Sequence, residues 1–121
     1  MKPIGFWFAH LHQALESSLE KVLADESLTR RHWQVLNTID SGASVDDALS
    51  PFGERRETVA DLRARGWIDD DGLTGTGREV HLRIKTKVGA FRSRATEGIS
   101  DEEYRTTVGV LERMAANLAR E

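Results

Sequence analysis

The side chains best suited to metal binding or catalysis are four histidines, His10, His12, His32 and His81. The chain contains no cysteine. Imidazole nitrogens are frequent zinc ligands, but no pair of these histidines has the spacing of a known zinc site. The lack of thiols excludes disulfides, thiolate metal sites and cysteine-based redox sensing. The sequence therefore predicts no metal site and no cofactor.

A run of carboxylates, Asp69-Asp70-Asp71-Gly72, has the composition of a calcium loop. An EF-hand with Gly72 at its sixth position would place Trp67 and Arg78 where the loop requires carboxylates. The run is therefore predicted to be a tight turn. No group of Ser, His and acidic residues has a local signature of nucleophilic catalysis, so we do not expect an enzyme.

Basic residues are concentrated in the middle of the chain, where residues 54–98 carry a net charge of +2 although the whole chain carries −3. Arg55 and Arg56 are adjacent, and Thr58 follows them. Guanidinium groups at the start of a helix can bind base edges and phosphates, and the free N–H groups there also bind anions. We predict that these three residues contact DNA. An ordinary solvated helix face is the alternative.

Other arginines are weaker candidates for the same surface. Arg63 lies further along the same segment, and Arg30 lies at the start of an earlier helix. Both are predicted to contact the DNA backbone. Arg63 and Arg65 have the alternative of pairing with Asp61 or neighbouring acids, and Arg30 has the alternative of an ordinary exposed helix start.

The spacing of apolar residues and of capping residues predicts the elements that would position these side chains. They are a helix from Ile4 to about Leu23, a helix capped by Thr29 and ended by Ser41-Gly42, a short helix opened by Ser44, a helix from Glu54 to Arg65, strands at Trp67-Ile68 and Leu73-Thr74, a helix from Thr74 to Gly98, and a last helix opened by Ser100.

Two helices joined by a tight turn, the second rich in arginine and followed directly by a hairpin, form the winged variant of the helix-turn-helix. The predicted fold class is mainly α. Residues 28–75 would form the winged helix-turn-helix with a short two-stranded wing, residues 76–98 a linking helix, and residues 1–25 and 99–121 long terminal helices. Because 121 residues suffice for one core, a single domain is expected.

The two terminal helices carry apolar stripes that a monomer of this size would leave uncovered. The residues concerned are Phe8, Leu11, Leu15, Leu111 and Leu118. A homodimer would bury these stripes, so we predict that both terminal helices are dimerisation helices.

No apolar run approaches the roughly 20 residues that cross a bilayer. The segment from Lys2 to Ala9 has an apolar burst, but no cleavage-like site follows it. We expect a cytoplasmic protein without a membrane partner.

Three segments carry a family resemblance: Leu28-Thr29-x-x-x-Trp33-x-Val35-Leu36, Val59-x-x-Leu62-x-x-Arg65-Gly66-Trp67-Ile68, and Leu73-Thr74-x-x-Gly77. In this order they resemble the second-helix, recognition-helix and post-wing motifs of the MarR family of bacterial transcription regulators. The resemblance covers nearly the whole chain. It implies a homodimer, in function a repressor, that binds a palindromic operator in double-stranded DNA and releases it when a small aromatic or phenolic ligand binds.

The candidate ligand-binding residues are Trp7, His10, Trp33 and Asn37. Trp7 and His10 share a face of the first helix, which the resemblance associates with a ligand pocket, and a dimer contact is the alternative. Trp33 could equally be a core residue, and Asn37 could be a surface amide.

The wing departs from the family pattern. The wing of family members is usually longer and basic, whereas this one carries three aspartates. Because an acidic tip is repelled by phosphates, we expect that the wing does not read the minor groove without rearrangement. A protein-interaction module on a winged-helix scaffold that has lost DNA binding is the alternative function.

Overall fold

The computed structural model of the chain describes residues 1–44 and 55–120. Within these residues lie five α-helices and one two-stranded antiparallel sheet: α1 (Ile4–Asp25), α2 (Arg30–Asp40), α3 (Arg56–Ala64), β1 (Ile68–Asp69), β2 (Gly72–Leu73), α4 (Gly75–Ala95) and α5 (Asp101–Ala119). The predicted fold class is confirmed. The short helix predicted after Ser44 lies outside the described residues.

Local capping signals explain where three of the helices begin. Thr29 precedes α2, and its N–H donates to Nδ1 of His32 at 3.0 Å. Thr74 precedes α4, and its Oγ1 accepts the N–H of Gly77 at 3.0 Å. Side-chain acceptors of this kind satisfy N–H groups that have no partner inside the helix. The predicted starts of these helices are therefore confirmed.

A reciprocal capping box opens α5. The N–H of Glu103 donates to Oγ of Ser100 at 3.0 Å, and the N–H of Ser100 donates to Oε1 of Glu103 at 3.0 Å. The hydrogen bonds from Ser100 hold the pKa of the Glu103 carboxyl below its usual range. Ser100 therefore opens the last helix, as predicted.

A glycine with left-handed backbone conformation connects α3 to the wing. Gly66 has a φ of 79°, and Trp67 after it donates its N–H to the carbonyl oxygen of Leu62 at 3.1 Å, which ends α3. In the hairpin, Ile68 pairs with Leu73 and Asp69 pairs with Gly72. The strands thus begin and end one residue closer to the turn than predicted.

The chain divides into two compact units, Met1–Phe91 and Arg92–Glu121. The core of the first unit contains apolar side chains from α1, α2, α3, β1 and α4, and Leu36 of α2, Leu62 of α3 and Ile84 of α4 are fully buried. These three helices therefore pack around one apolar centre. In the second unit, α5 has no buried residue, and the large side chains of Tyr104 and Leu118 are exposed.

Gly77 allows the start of α4 to pack directly on the wing. A β-carbon at residue 77 would lie 1.9 Å from the carbonyl oxygen of Trp67. Only a residue without a β-carbon fits this approach of the two backbones. The packing explains the glycine in the third motif and fixes the wing against α4.

Candidate nucleic-acid interface

One face of α3 is exposed and basic. Arg56, Ala60 and Arg63 are all exposed, and their spacing of four and three residues places them on one stripe of the helix. The α-carbons of the two arginines are separated by about 10 Å along the helix axis, with the small Ala60 between them. A stripe of this kind can approach base edges closely in the major groove.

The opposite face of α3 is buried and includes one residue predicted to contact DNA. Thr58 is 8% exposed, and Val59 and Leu62 beside it are buried. Because Thr58 precedes Leu62 by four residues, both lie on the core side of the helix. This burial therefore counts against the predicted contact between the Thr58 side chain and DNA.

A side-chain network joins α3 to α2. Nε2–H of His32 donates to Oδ2 of Asp61 at 2.8 Å, since Nδ1 of the same ring accepts the N–H of Thr29. Arg65 donates to Oδ2 of Asp61 at 2.9 Å. The hydrogen bond from His32, together with the Arg65 guanidinium, holds the pKa of the Asp61 carboxyl below its usual range. Asp61 therefore remains charged and ties the two helices together.

Arg65 is held on several sides by its own chain. Besides Asp61, it donates to the carbonyl oxygen of Ser27 at 2.9 Å and to that of Glu26 at 3.4 Å. Its guanidinium also lies 5.1 Å from the centre of the Trp67 ring. The pairing of Arg65 with Asp61, which the sequence analysis gave as its alternative, is thus present.

The turn that Arg65 contacts is anchored to α4 by a second set of charges. Arg83 donates to both carboxylate oxygens of Glu26 at 2.7 Å, and Nζ of Lys87 lies 3.6 Å from Oε1. These cations, Arg83 first, hold the pKa of the Glu26 carboxyl below its usual range, and Glu26 in turn raises the pKa of Arg83. The turn between α1 and α2 therefore connects α3 with α4.

The three aspartates of the wing lie beside the basic stripe. Asp69 Oδ1 accepts the N–H of Asp71 at 2.9 Å, and Asp70 Oδ1 accepts a hydrogen bond from Nη1 of Arg63 at 2.8 Å. The alternative for Arg63, pairing with a neighbouring acid, is therefore realised. A contact between Arg63 and DNA requires that it leave Asp70.

The remaining predicted DNA contacts lie at the edges of this surface. Arg55 is the N-cap residue of α3 and is half-buried. Arg30 donates to Oε2 of Glu16 and so forms an ion pair between α2 and α1. Of the predicted set, Arg56 is the arginine that is exposed on α3 and has no ion pair to a residue within 1–44 or 55–120.

Two of the predicted ligand-binding residues come together around a third residue. The Trp33 ring stacks on His81 at 5.2 Å, and Nε2–H of His81 donates to Oδ1 of Asn37 at 2.9 Å. His81 is 6% exposed, and its Nδ1 lies 3.9 Å from Oδ1 of Asp40. Trp33, Asn37 and His81 thus form an aromatic and polar cluster between α2 and α4.

The other two predicted ligand-binding residues lie elsewhere, on the surface of α1. Trp7 meets Phe6 edge-on at 5.1 Å, and His10 stacks on Phe6 at 5.5 Å. Trp7 is 53% exposed. Among the residues that the structure describes, no ring contact or hydrogen bond joins Trp7 or His10 to the Trp33–His81 pair.

The predicted dimer residues differ in exposure. Phe8, Leu11 and Leu118 are exposed, and Leu111 is half-buried. Leu15 packs partly against the core of its own chain, so it serves intramolecular packing as well.

Sequence reasoning treated His81 as a candidate metal ligand and otherwise missed it. A signal was present, because His81 lies three residues before Ile84 and seven before Val88, on the buried face of α4.

Within the described part of the chain, no group of three or more His, Asp or Glu side chains is placed to hold a metal ion. The same part of the chain includes no helix long and apolar enough to span a bilayer.

No family model matches the chain, and no curated protein sequence matches it. Solved structures do match. A MarR-family transcriptional regulator from Rhodococcus sp. RHA1 is 24% identical, with a TM-score of 0.70 over 93% of this chain and 91% of that one. CouR from Rhodococcus jostii RHA1, solved with p-coumaroyl-CoA, is 22% identical, with a TM-score of 0.71 over 94% of this chain and 92% of that one.

A third structure, a variant of S. aureus MepR bound to an oligodeoxyribonucleotide, is 13% identical, with a TM-score of 0.69 over 98% of this chain and 99% of that one. The resemblance to the MarR family is thereby confirmed at the level of the fold.

Proposed function

We propose that this chain is a DNA-binding transcription regulator of the MarR type, which forms a homodimer and represses by occupying a palindromic operator. The observation that carries the proposal is the exposed stripe of α3. Arg56, Ala60 and Arg63 face solvent, while His32, Asp61 and Arg65 hold the helix from behind. A rigidly supported basic helix next to a hairpin is the arrangement with which winged helices enter the major groove.

Arg56 is the residue best placed to read a base edge. It lies in the first turn of α3, is exposed, and a guanidinium group can bind O6 and N7 of guanine together. Arg55 would contact phosphates at the edge of the surface, whereas Arg63 could do so only after leaving Asp70. The DNA-bound structure of a MepR variant, which shares the fold, supports this use of the scaffold.

The homodimer follows from the exposed apolar side chains of the terminal helices, among them Phe8, Leu11 and Leu118. A C₂ dimer presents two copies of α3, and two copies of a recognition helix bind an inverted repeat. Adjacent half-sites would lie about 10 base pairs apart, which is one turn of B-DNA.

Selection of binding sequences from a random duplex pool tests this proposal without knowledge of the operator. The expected product is an inverted repeat, bound by two chains, with half-sites about 10 base pairs apart. Recovery of no consensus, combined with no retention on heparin, would contradict DNA binding and favour the protein-interaction alternative.

The proposed inducer is a small aromatic or phenolic molecule bound near Trp33, Asn37 and His81. These residues offer an aromatic face and hydrogen-bonding groups in a largely buried setting. The p-coumaroyl-CoA in the CouR structure supports an aromatic ligand class. An inducer must bind the DNA-incompetent form more tightly, and a coupling of about 1 to 3 kcal/mol would weaken operator binding roughly 5- to 150-fold.

Titration of salicylate and simple phenols against tryptophan fluorescence tests the ligand part. The change in fluorescence should persist in His10→Ala and be weakened in Asn37→Ala if the cluster around His81 binds the ligand. The reverse pattern would place the ligand on the surface of α1, near Trp7. No response to any compound would remove the ligand from the proposal.

A further inference from the structure

The wing tip brings three carboxylates next to the proposed DNA surface, and they have different partners. Asp69 accepts the N–H of Asp71 and so fixes the two-residue turn. Asp70 accepts a hydrogen bond from Arg63 at 2.8 Å. The Asp71 carboxylate makes no hydrogen bond or ion pair with any residue in the described ranges. Asp70 alone of the three reaches across to the basic stripe of α3.

The Arg63–Asp70 pair contributes little to the stability of the fold. The Asp70 side chain is 91% exposed and that of Arg63 is 42% exposed. Exposed ion pairs of this kind gain little, since water screens the charges and both side chains lose freedom. The stability of the fold therefore does not account for the position of Asp70 opposite Arg63.

The same pair would oppose the approach of a polyanion. A guanidinium bound to a carboxylate must break that contact to reach a phosphate, and the carboxylate itself repels the phosphate. Each phosphate contact adds to the affinity for any DNA and steepens its dependence on salt. Asp70 thus removes one contact that carries no sequence information.

We propose that Asp70 is a specificity-determining residue, which withdraws Arg63 from the phosphates and leaves recognition to the N-terminal end of α3 around Arg56. The inference rests on the proposed DNA binding. In this arrangement the wing acts as a counter-charge to the recognition helix and does not itself enter the minor groove.

The test compares Asp70→Asn with Asp71→Asn in binding to a mixed-sequence DNA duplex over a range of salt concentrations. Both changes remove one negative charge from the same turn, but only Asp70 is paired with Arg63. We expect Asp70→Asn to bind about three- to tenfold more tightly near 0.1 M salt and to steepen the slope of log K against log salt by about one. Asp71→Asn should give a smaller gain with little change in slope.

The Arg63→Ala background shows whether the effect passes through Arg63. There, Asp70→Asn and Asp71→Asn should give equal, small gains. Circular dichroism of each variant confirms that these exposed substitutions leave the fold intact.

Each outcome separates the two proposals. Binding by the parent with equal gains from Asp70→Asn and Asp71→Asn, or with no gain from either, would overturn the role of Asp70 while leaving DNA binding in place. A steeper slope that persists without Arg63 would also overturn it. Failure of the parent and of every variant to bind any duplex, at low salt as well, would overturn the proposed function and this inference with it.

Discussion

Nε2 of His32 lies 2.8 Å from Oδ2 of Asp61, and this contact joins the two helices of the helix-turn-helix through side chains that also cap and orient them. The His32 ring is nearly buried, since its side chain is 12% exposed. One nitrogen of the ring accepts a hydrogen bond at the start of α2 and the other contacts Asp61 of α3, so a single imidazole links the two helices.

Replacement of His32 should therefore destabilise the fold. His32→Ala removes two hydrogen bonds and leaves a small void, which should lower the free energy of unfolding by about 1 to 2 kcal/mol. Urea denaturation followed by circular dichroism measures this. Glu57→Gln, a change on the exposed side of α3, is the control and should stay within about 0.5 kcal/mol of the parent. Equal stability of parent and His32→Ala would show that the network does not hold α3.

The depressed carboxyl pKa values predict a loss of stability in acid. Glu26 and Asp61 have lower pKa values in the folded chain than in the unfolded one, because Arg83 and His32 respectively hydrogen-bond to their charged forms. The stability they contribute is complete above the unfolded pKa of about 4 and is lost as the pH falls through the lower folded pKa. Urea titrations between about pH 6 and pH 3 should show a shallower decline for Glu26→Gln than for the parent. Identical declines would contradict the contribution of Glu26.

Gly77 should be intolerant of a side chain. In Gly77→Ala the new β-carbon would meet the carbonyl oxygen of Trp67, so the backbone must shift, at a cost of about 1 to 3 kcal/mol or more. Gly89→Ala in the same helix is the control, because a β-carbon there meets no atom within 4 Å and alanine is the better helix former. Thermal unfolding should rank Gly89→Ala at or above the parent and Gly77→Ala well below it. The opposite order would mean that α4 does not pack on the wing at this point.

The proposed dimer predicts that a charge on the exposed stripe of α5 disrupts assembly. Leu118→Asp should lower the dimer fraction or cause aggregation, since a carboxylate would be buried in an apolar interface. Thr106→Asp adds the same charge on the opposite side of the helix and should leave the dimer intact. Sedimentation equilibrium distinguishes the two. A stable dimer in Leu118→Asp would exclude this stripe from the interface.

The sequence predicts most of the fold because its signals are local. Thr29 and Ser100 open their helices through contacts three residues away, and Gly66 ends α3 through its own conformation. Such short-range signals need no knowledge of the tertiary structure.

The site was predicted less completely because its contacts join distant parts of the chain. Glu26 and Arg83 are 57 residues apart, so their pairing depends on how α1 and α4 pack. Thr58 was predicted to contact DNA because it lies close to Arg55 and Arg56 at the start of the helix, although its spacing from Leu62 indicates the buried face. The packing of α3 on the core places Thr58 among the buried side chains.

The most direct test of the central claim is the affinity of Arg56→Ala for a duplex selected by the parent protein. If the exposed stripe of α3 reads DNA, the loss of a bidentate base contact should cost about 1 to 3 kcal/mol and relax the sequence preference at one position of each half-site. Arg120→Ala is the matched control, because Arg120 lies in the other unit and donates to Asn117, and it should bind as the parent does. Equal binding by the parent, Arg56→Ala and Arg120→Ala would contradict the assignment of α3 as the recognition helix.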